Sequence, residues 1–377
     1  MTPFLFIMAC VGALASVDSF ISAPTRFWAN WLVWMLMLSS AGLGAMFLVS
    51  LEHVTGAKWS VPLRRTAERV SSLVFPASLA MLACLAGVPT LFSWAQPGWP
   101  KDPMQAGKTA WLNFPFFALR AMACVSLWLW SFITLTGGSL ELDSTRDPKL
   151  TARLKTFSPA FLVIFGVTVT VVAFDWISSL SPEWYSDVFG VYLFAGVFLS
   201  GLSAVALTAL SLKRAGRLPE VRFDHLYNLG GFLFAFVVFW SYIAFAQYML
   251  IWYAHLPEET FWYKLRVEGP WSWAALGLAV IHFIIPFFAL VTRDSKGDPR
   301  RLAWVSVLVL LSHYLDLCWL VFPSLGLSPR FSFPELGAAL FFVSIGILWM
   351  RKALSRGADM PLGDPDLEEG LLFRLPR

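Results

Sequence analysis

The chain has 377 residues, of which 58% are hydrophobic and only 14% are charged, and its formal net charge is +4. A soluble domain carries roughly a quarter charged residues, so the composition excludes an ordinary soluble protein and describes a polytopic membrane protein. The small basic excess falls in short loops rather than on one face, which argues against nucleic acid as a partner.

A helix crosses a bilayer with about 20 apolar residues. Ten stretches qualify: 3–20, 27–51, 70–94, 111–136, 157–181, 186–212, 226–254, 270–292, 301–323 and 333–353. The first has no charged segment before it, so it reads as a span rather than a cleavable leader. Tryptophan and tyrosine crowd the span ends, as at Trp94, Trp99 and Trp111 or at Trp252, Tyr253, Trp262 and Tyr263, where amphipathic rings suit an interface. The expected fold is all-α, with residues 1–353 forming the transmembrane part. Spans two to five (27–181) and six to nine (186–323) would make two packed four-helix bundles with two extra helices. An offset of four spans keeps orientation, and both sets place an acidic residue late in their fourth helix, Asp175 and Asp316.

Basic residues set the topology. The loops after spans two, four, six and eight and the chain from Arg351 onward hold 21 of the Lys and Arg residues, including Arg64, Arg65, Arg69, Lys155, Arg217 and Arg377. The opposite loops hold six: Arg26, Lys101, Lys108, Lys264, Arg266 and Arg330. Arg120 lies inside a span. Positive charge stays on the cytoplasmic side, so both termini are expected there. The tail, 354–377, is polar and acidic, and reads as a mobile extension or as a docking strip for another subunit.

The four cysteines, Cys10, Cys84, Cys124 and Cys318, lie singly in four different spans, and no CxxC or CxxCH occurs. That pattern speaks against covalent haem, iron–sulfur clusters and structural zinc in this chain. His282 and His313 are the mid-membrane histidines, which limits haem b to one bis-histidine site; a proton relay suits them better.

Charged groups inside a bilayer are costly and usually mark an ion or ligand pathway. Asp175 and Asp316 sit in apolar helices, and His313 is one turn before Asp316, so both project from one face. With His282, Arg120 and Gln247 they form the candidate proton relay. For His313, Asp316 and Asp175 the competing reading is a structural ion pair, with Arg120 as a partner, that holds the bundles together; for His282 it is a satisfied core histidine. Glu52 with His53, and Asp224 with His225, are candidates for cytoplasmic proton entry, against a simpler role in capping and snorkelling.

Three stretches carry a family resemblance. The first is Phe174-Asp175-Trp176-Ile177-Ser178-Ser179-Leu180-Ser181-Pro182-Glu183-Trp184-Tyr185, with Phe189-Gly190-Val191-Tyr192 just after it. The second runs from Phe239-Trp240-Ser241-Tyr242 through Gln247-Tyr248 to Pro257-Glu258-Glu259-Thr260, and the third is His313-Tyr314-Leu315-Asp316-Leu317-Cys318-Trp319-Leu320. From about Arg26 to Arg351 the chain resembles the NrfD-like (NrfD/PsrC-like) membrane subunits of bacterial alternative complex III, and in particular its second, ActF-type subunit. The resemblance implies a place in a quinol:electron-acceptor oxidoreductase of the bacterial cytoplasmic membrane. It implies a subunit with no redox centre or cofactor of its own, not an enzyme alone, with quinone or menaquinone close by. The implied partners are the first NrfD-like quinol subunit, an iron–sulfur subunit, multihaem and monohaem cytochromes c, membrane lipids and a terminal oxidase. The proton path it implies uses Asp175, His313 and Asp316, with Arg120, His282 and Gln247 beside them. On this reading Asp316→Asn or Asp175→Asn lowers coupling without dissolving the complex. A secondary transporter and a purely structural anchor are the alternatives.

Overall fold

The computed structural model describes residues 2–100 and 103–375, apart from the side chain of Met104. Lys101 and Arg377, counted above, lie outside the described residues. Those residues form helices without a strand, and ten of the helices are long and apolar enough to cross a membrane. They are α1 (Thr2–Ser22), α2 (Pro24–Thr55), α3 (Val61–Leu91), α4 (Phe114–Thr145), α5 (Pro148–Leu180), α6 (Phe189–Arg214), α7 (Phe223–Ala254), α8 (Ser272–Leu290), α9 (Pro299–Leu325) and α10 (Phe333–Leu354). The chain is therefore an all-helical, multi-pass membrane protein.

Local chemistry sets many of the ends. Proline opens α2, α5, α9 and α10, where a missing N–H costs nothing. Asp147 and Asp298 cap α5 and α9 by accepting from backbone N–H groups of the first turn. Gly56 ends α2 in the left-handed region, at φ 65°.

Three helices overrun the apolar stretches by nine residues at the end that carries the basic loops. α3 starts at Val61 rather than 70, α4 ends at Thr145 rather than 136, and α5 starts at Pro148 rather than 157. The cause is charge pairing. Arg64, Arg65 and Arg69, which read as loop residues, are helical and at most 5% exposed. Arg65 bonds Glu68 at 2.8 Å and Asp143 at 2.6 Å, Arg64 lies 3.5 Å from Glu52, and Arg69 bonds Asp359 at 2.5 Å.

Helix contacts close two four-membered rings in the same order. In the first, α2 touches α3 and α5, and α4 bridges them; in the second, α6 touches α7 and α9, and α8 bridges them. The rings meet where α2 crosses α6. A Cβ on Gly44 would sit 2.3 Å from the Val197 carbonyl oxygen, and one on Gly201 would sit 2.3 Å from the Gly44 carbonyl carbon. Only glycines permit this backbone-to-backbone approach. These two helices are the axis of the molecule, with 89% and 78% of their most apolar windows buried, against 28% for α1 and α8. The extra helices α1 and α10 pair with each other and lean on α2.

The tail departs from the expectation of a mobile extension. It lies along the basic end of its own chain. Asp359 accepts from Arg69 and Arg217, Asp364 from Arg64, Asp366 from Lys155 and Glu369 from Lys58. Burial works against the Asp359 anion, but hydrogen bonds from Arg217 and Arg69 prevail and hold its carboxyl below the ordinary value.

Candidate functional site

The relay residues named from sequence separate into two clusters, one in each ring. In the first ring, Asp175 sits in a π-helical turn of α5, Ala173–Ile177, and faces α4, where it is 2% exposed. Such one-turn bulges shift side-chain register and recur at functional or strained positions. Arg120 of α4 donates to both oxygens of Asp175, from Nε at 2.6 Å and from Nη2 at 3.0 Å. Trp111 Nε1 adds a third donor at 2.9 Å. The guanidinium also donates to the Trp111 carbonyl at 3.1 Å and lies 4.1 Å from the Trp111 ring centroid and 4.4 Å from that of Phe116. Both oxygens of the carboxylate are engaged. A carboxylate so held is a fixed anion that ties α4 to α5.

The second ring solves the same problem differently. Asp316 of α9 is 1% exposed, and the Tyr192 hydroxyl of α6 donates to its Oδ1. Among the described residues no basic side chain pairs with it. One turn earlier, His313 Nε2 meets the Ser40 hydroxyl of α2 at 3.1 Å, and its Nδ1 has no partner among the described residues. Gly196 makes the space for this ring, since a Cβ there would come within 2.7 Å of His313 Cε1. His282 sits in another π-helical turn, Ala279–Ile284 of α8. Its ring stacks on Trp240 of α7 at 3.9 Å between centroids and lies 6.5 Å from the His313 ring. Both His282 nitrogens are buried and lack partners among the described residues.

Buried polar atoms are seldom left without a partner, so the two imidazoles offer three positions for a proton-carrying group to bind. A void of about 10 Å³ beside Ser39 and Ser40, at the junction of the rings, has room for about one water. Gln247 points inward on the Trp240, Ile243 and Ile251 stripe of α7, two turns beyond Trp240, with its amide nitrogen unpartnered among the described residues. His313 and Asp316 share a face of α9 but bond to different helices, so they neighbour each other without forming a pair.

The residues proposed for proton entry are tied into the basic end. Glu52 lies beside Arg64, and His53 Nδ1 is 3.0 Å from the Ser158 hydroxyl. His225 Nδ1 accepts from the Arg222 N–H at 2.9 Å, which leaves the proton on Nε2 to reach the Gly370 carbonyl at 3.0 Å. Asp224 accepts from the Leu375 N–H. His225 and Asp224 therefore anchor the tail.

Arg266 is a part of the site region that loop counting does not single out. It lies in the short helix Pro257–Val267 and is fully buried, 3.3 Å from the Trp262 ring centroid. It donates to the carbonyls of Trp262, Trp319 and Leu320 at 2.7–3.0 Å and to Ser324 Oγ at 2.8 Å. A cation on the last carbonyls of α9 satisfies groups a helix end leaves open, and it fixes the helix turn that follows Asp316. Burial pushes the adjacent Tyr263 phenol above its ordinary value.

Among the described residues no three His, Cys, Asp or Glu side chains gather as a metal site. Three clefts of about 250, 430 and 710 Å³ have room for a ring-sized ligand, and none is lined by Asp316, His313 or His282. Comparison with protein-family models and with curated proteins finds no match for this chain.

Proposed function

We propose that this chain is a membrane subunit of a respiratory quinol:electron-acceptor oxidoreductase of the alternative complex III type, seated in the bacterial cytoplasmic membrane with both termini inside. In this reading it carries no redox centre and moves protons beside a quinol-oxidising subunit. Oxidation of a quinol releases two protons with two electrons. The electrons leave through iron–sulfur and haem c partners, and the protons need titratable groups in the membrane.

The observation that carries the reading is Asp316. It is a buried carboxylate held by a phenol rather than by a cation, with two incompletely bonded imidazoles close by. Asp316 and Tyr192 hold a proton between Oδ1 and the phenol oxygen, and His313 and His282 extend the path across the second ring. Ser40 links His313 to the junction with the first ring. Arg120 and Asp175 act as positioning residues, since a guanidinium and an indole hold the carboxylate in its charged form and oppose its protonation. The resemblance over Arg26–Arg351 supplies the redox partners, and the buried cluster supplies the task.

The test is to tag the chain, extract it in mild detergent and identify what co-purifies. Multihaem cytochrome and iron–sulfur subunits are the expected companions. A monomer or homodimer free of redox proteins would move the assignment to a secondary transporter.

A further inference from the structure

A cleft of about 250 Å³ opens between α3, α4 and α10 at the basic end. Its two ends differ in chemistry. At one end lie Arg69, Lys352 and Arg356; at the other, Phe75 packs against Phe132 at 5.2 Å and against Trp349 at 5.8 Å between ring centroids. Six positions from Arg69 to Phe75 and seven from Trp349 to Arg356 set Arg69 and Arg356 about 10 Å from the aromatic end along the helices, with Lys352 between them. The wall from α4 is a π-helical turn, Ile133–Gly137, and its rim is made of exposed Ile133 and Leu140.

The positive charge at this cleft is not consumed internally. Arg65 and Glu68 cancel each other at 2.8 Å, and Arg69 is engaged by Asp359 and by three tail carbonyls. Lys352 and Arg356 are exposed, and among the described residues neither meets a carboxylate. Lys352 lies 5.8 Å over the Trp349 ring, and both residues line the cleft. By contrast, the cleft of about 430 Å³ beside Phe20, Trp28 and Phe341 has no charged lining.

We infer that the α3/α4/α10 cleft is a binding site for one anionic phospholipid, with its phosphate at Lys352 and Arg356 and an acyl chain along Phe75, Phe132 and Trp349. The cations demand an anion, and the aromatic floor facing apolar side chains demands a chain attached to it. A neutral ring compound satisfies only the second condition, and a soluble phosphate only the first. Basic pockets between spanning helices on the positive side of a membrane protein fit this chemistry.

The test uses the delipidated full-length chain in detergent, titrated by native mass spectrometry with phosphatidylglycerol, phosphatidylcholine or inorganic phosphate. Phosphatidylglycerol is expected to bind roughly tenfold or more tightly than phosphatidylcholine, and inorganic phosphate is not expected to displace it at equal concentration. The K352Q/R356Q variant is expected to lose roughly 25-fold in phosphatidylglycerol affinity, about fivefold for each charge, with phosphatidylcholine unaffected. Both side chains are exposed, so the variant keeps its fold, and R300Q serves as a basic-loop control that leaves binding unchanged. Equal affinity for the two lipids, competition by inorganic phosphate, or an unaltered K352Q/R356Q variant overturns the assignment.

Discussion

Asp175 and Asp316 occupy corresponding places, late in the fourth helix of each ring, and are equally buried. Their surroundings are opposite. Asp175 takes three hydrogen bonds, two of them from a guanidinium, whereas Asp316 takes a phenol and leaves neighbouring imidazoles partly unbonded. Burial alone therefore does not make a carboxylate functional. What distinguishes the two is whether a fixed cation has already settled the charge.

That contrast is open to direct attack. The largest effect belongs to Arg120→Ala, which strands Asp175 as an unpaired buried charge and is expected to cost about 3–5 kcal/mol, read as a lowered thermal midpoint in detergent. Arg120→Met combined with Asp175→Asn is expected to recover most of that loss, because removing both charges leaves nothing uncompensated. Failure of the pair to recover stability would show that the ion pair is not what holds α4 to α5.

Tyr192→Phe removes the phenol that donates to Asp316. The expected penalty is smaller, about 1–3 kcal/mol, accompanied by slower proton-coupled turnover. A variant with wild-type turnover would remove the phenol from the path.

The smallest change is at the tail. Asp359→Asn is expected to cost about 1 kcal/mol, since its pairs are partly solvated, and to speed protease cleavage after Leu354. The same contact carries a pH signature. Because the folded carboxyl lies below its ordinary value near 4, its contribution is complete above that value and disappears as pH falls through the lower, folded one. Tail protection that shows no loss however far pH is lowered beneath the ordinary carboxyl value would contradict this.

Much of this was legible in the chain. Ten apolar runs yield ten spanning helices, and spacing alone put His313 and Asp316 on one face. The pairing of Arg120 with Asp175 was visible as an alternative but could not be selected, because residues 55 positions apart give no local signal. The three π-helical turns left no pattern in hydropathy, since one extra residue in a turn changes which face looks inward without changing composition. Arg64, Arg65 and Arg69 read as loop residues because sequence counts charge and not its partner. The tail is the instructive miss. Its Asp359, Asp364, Asp366 and Glu369 match basic residues at 58, 64, 69, 155 and 217 of the same chain, so the complement was present but its address was not.

The most direct measurement compares Asp316→Asn with Asp175→Asn in the purified complex, recording thermal midpoint and protons released per electron. The account predicts that Asp316→Asn stays as stable as wild type and loses proton transfer by roughly a hundredfold or more. It predicts that Asp175→Asn melts earlier while the surviving complexes release protons normally. Normal proton release in Asp316→Asn, or a loss of coupling in Asp175→Asn without a loss of stability, would contradict it.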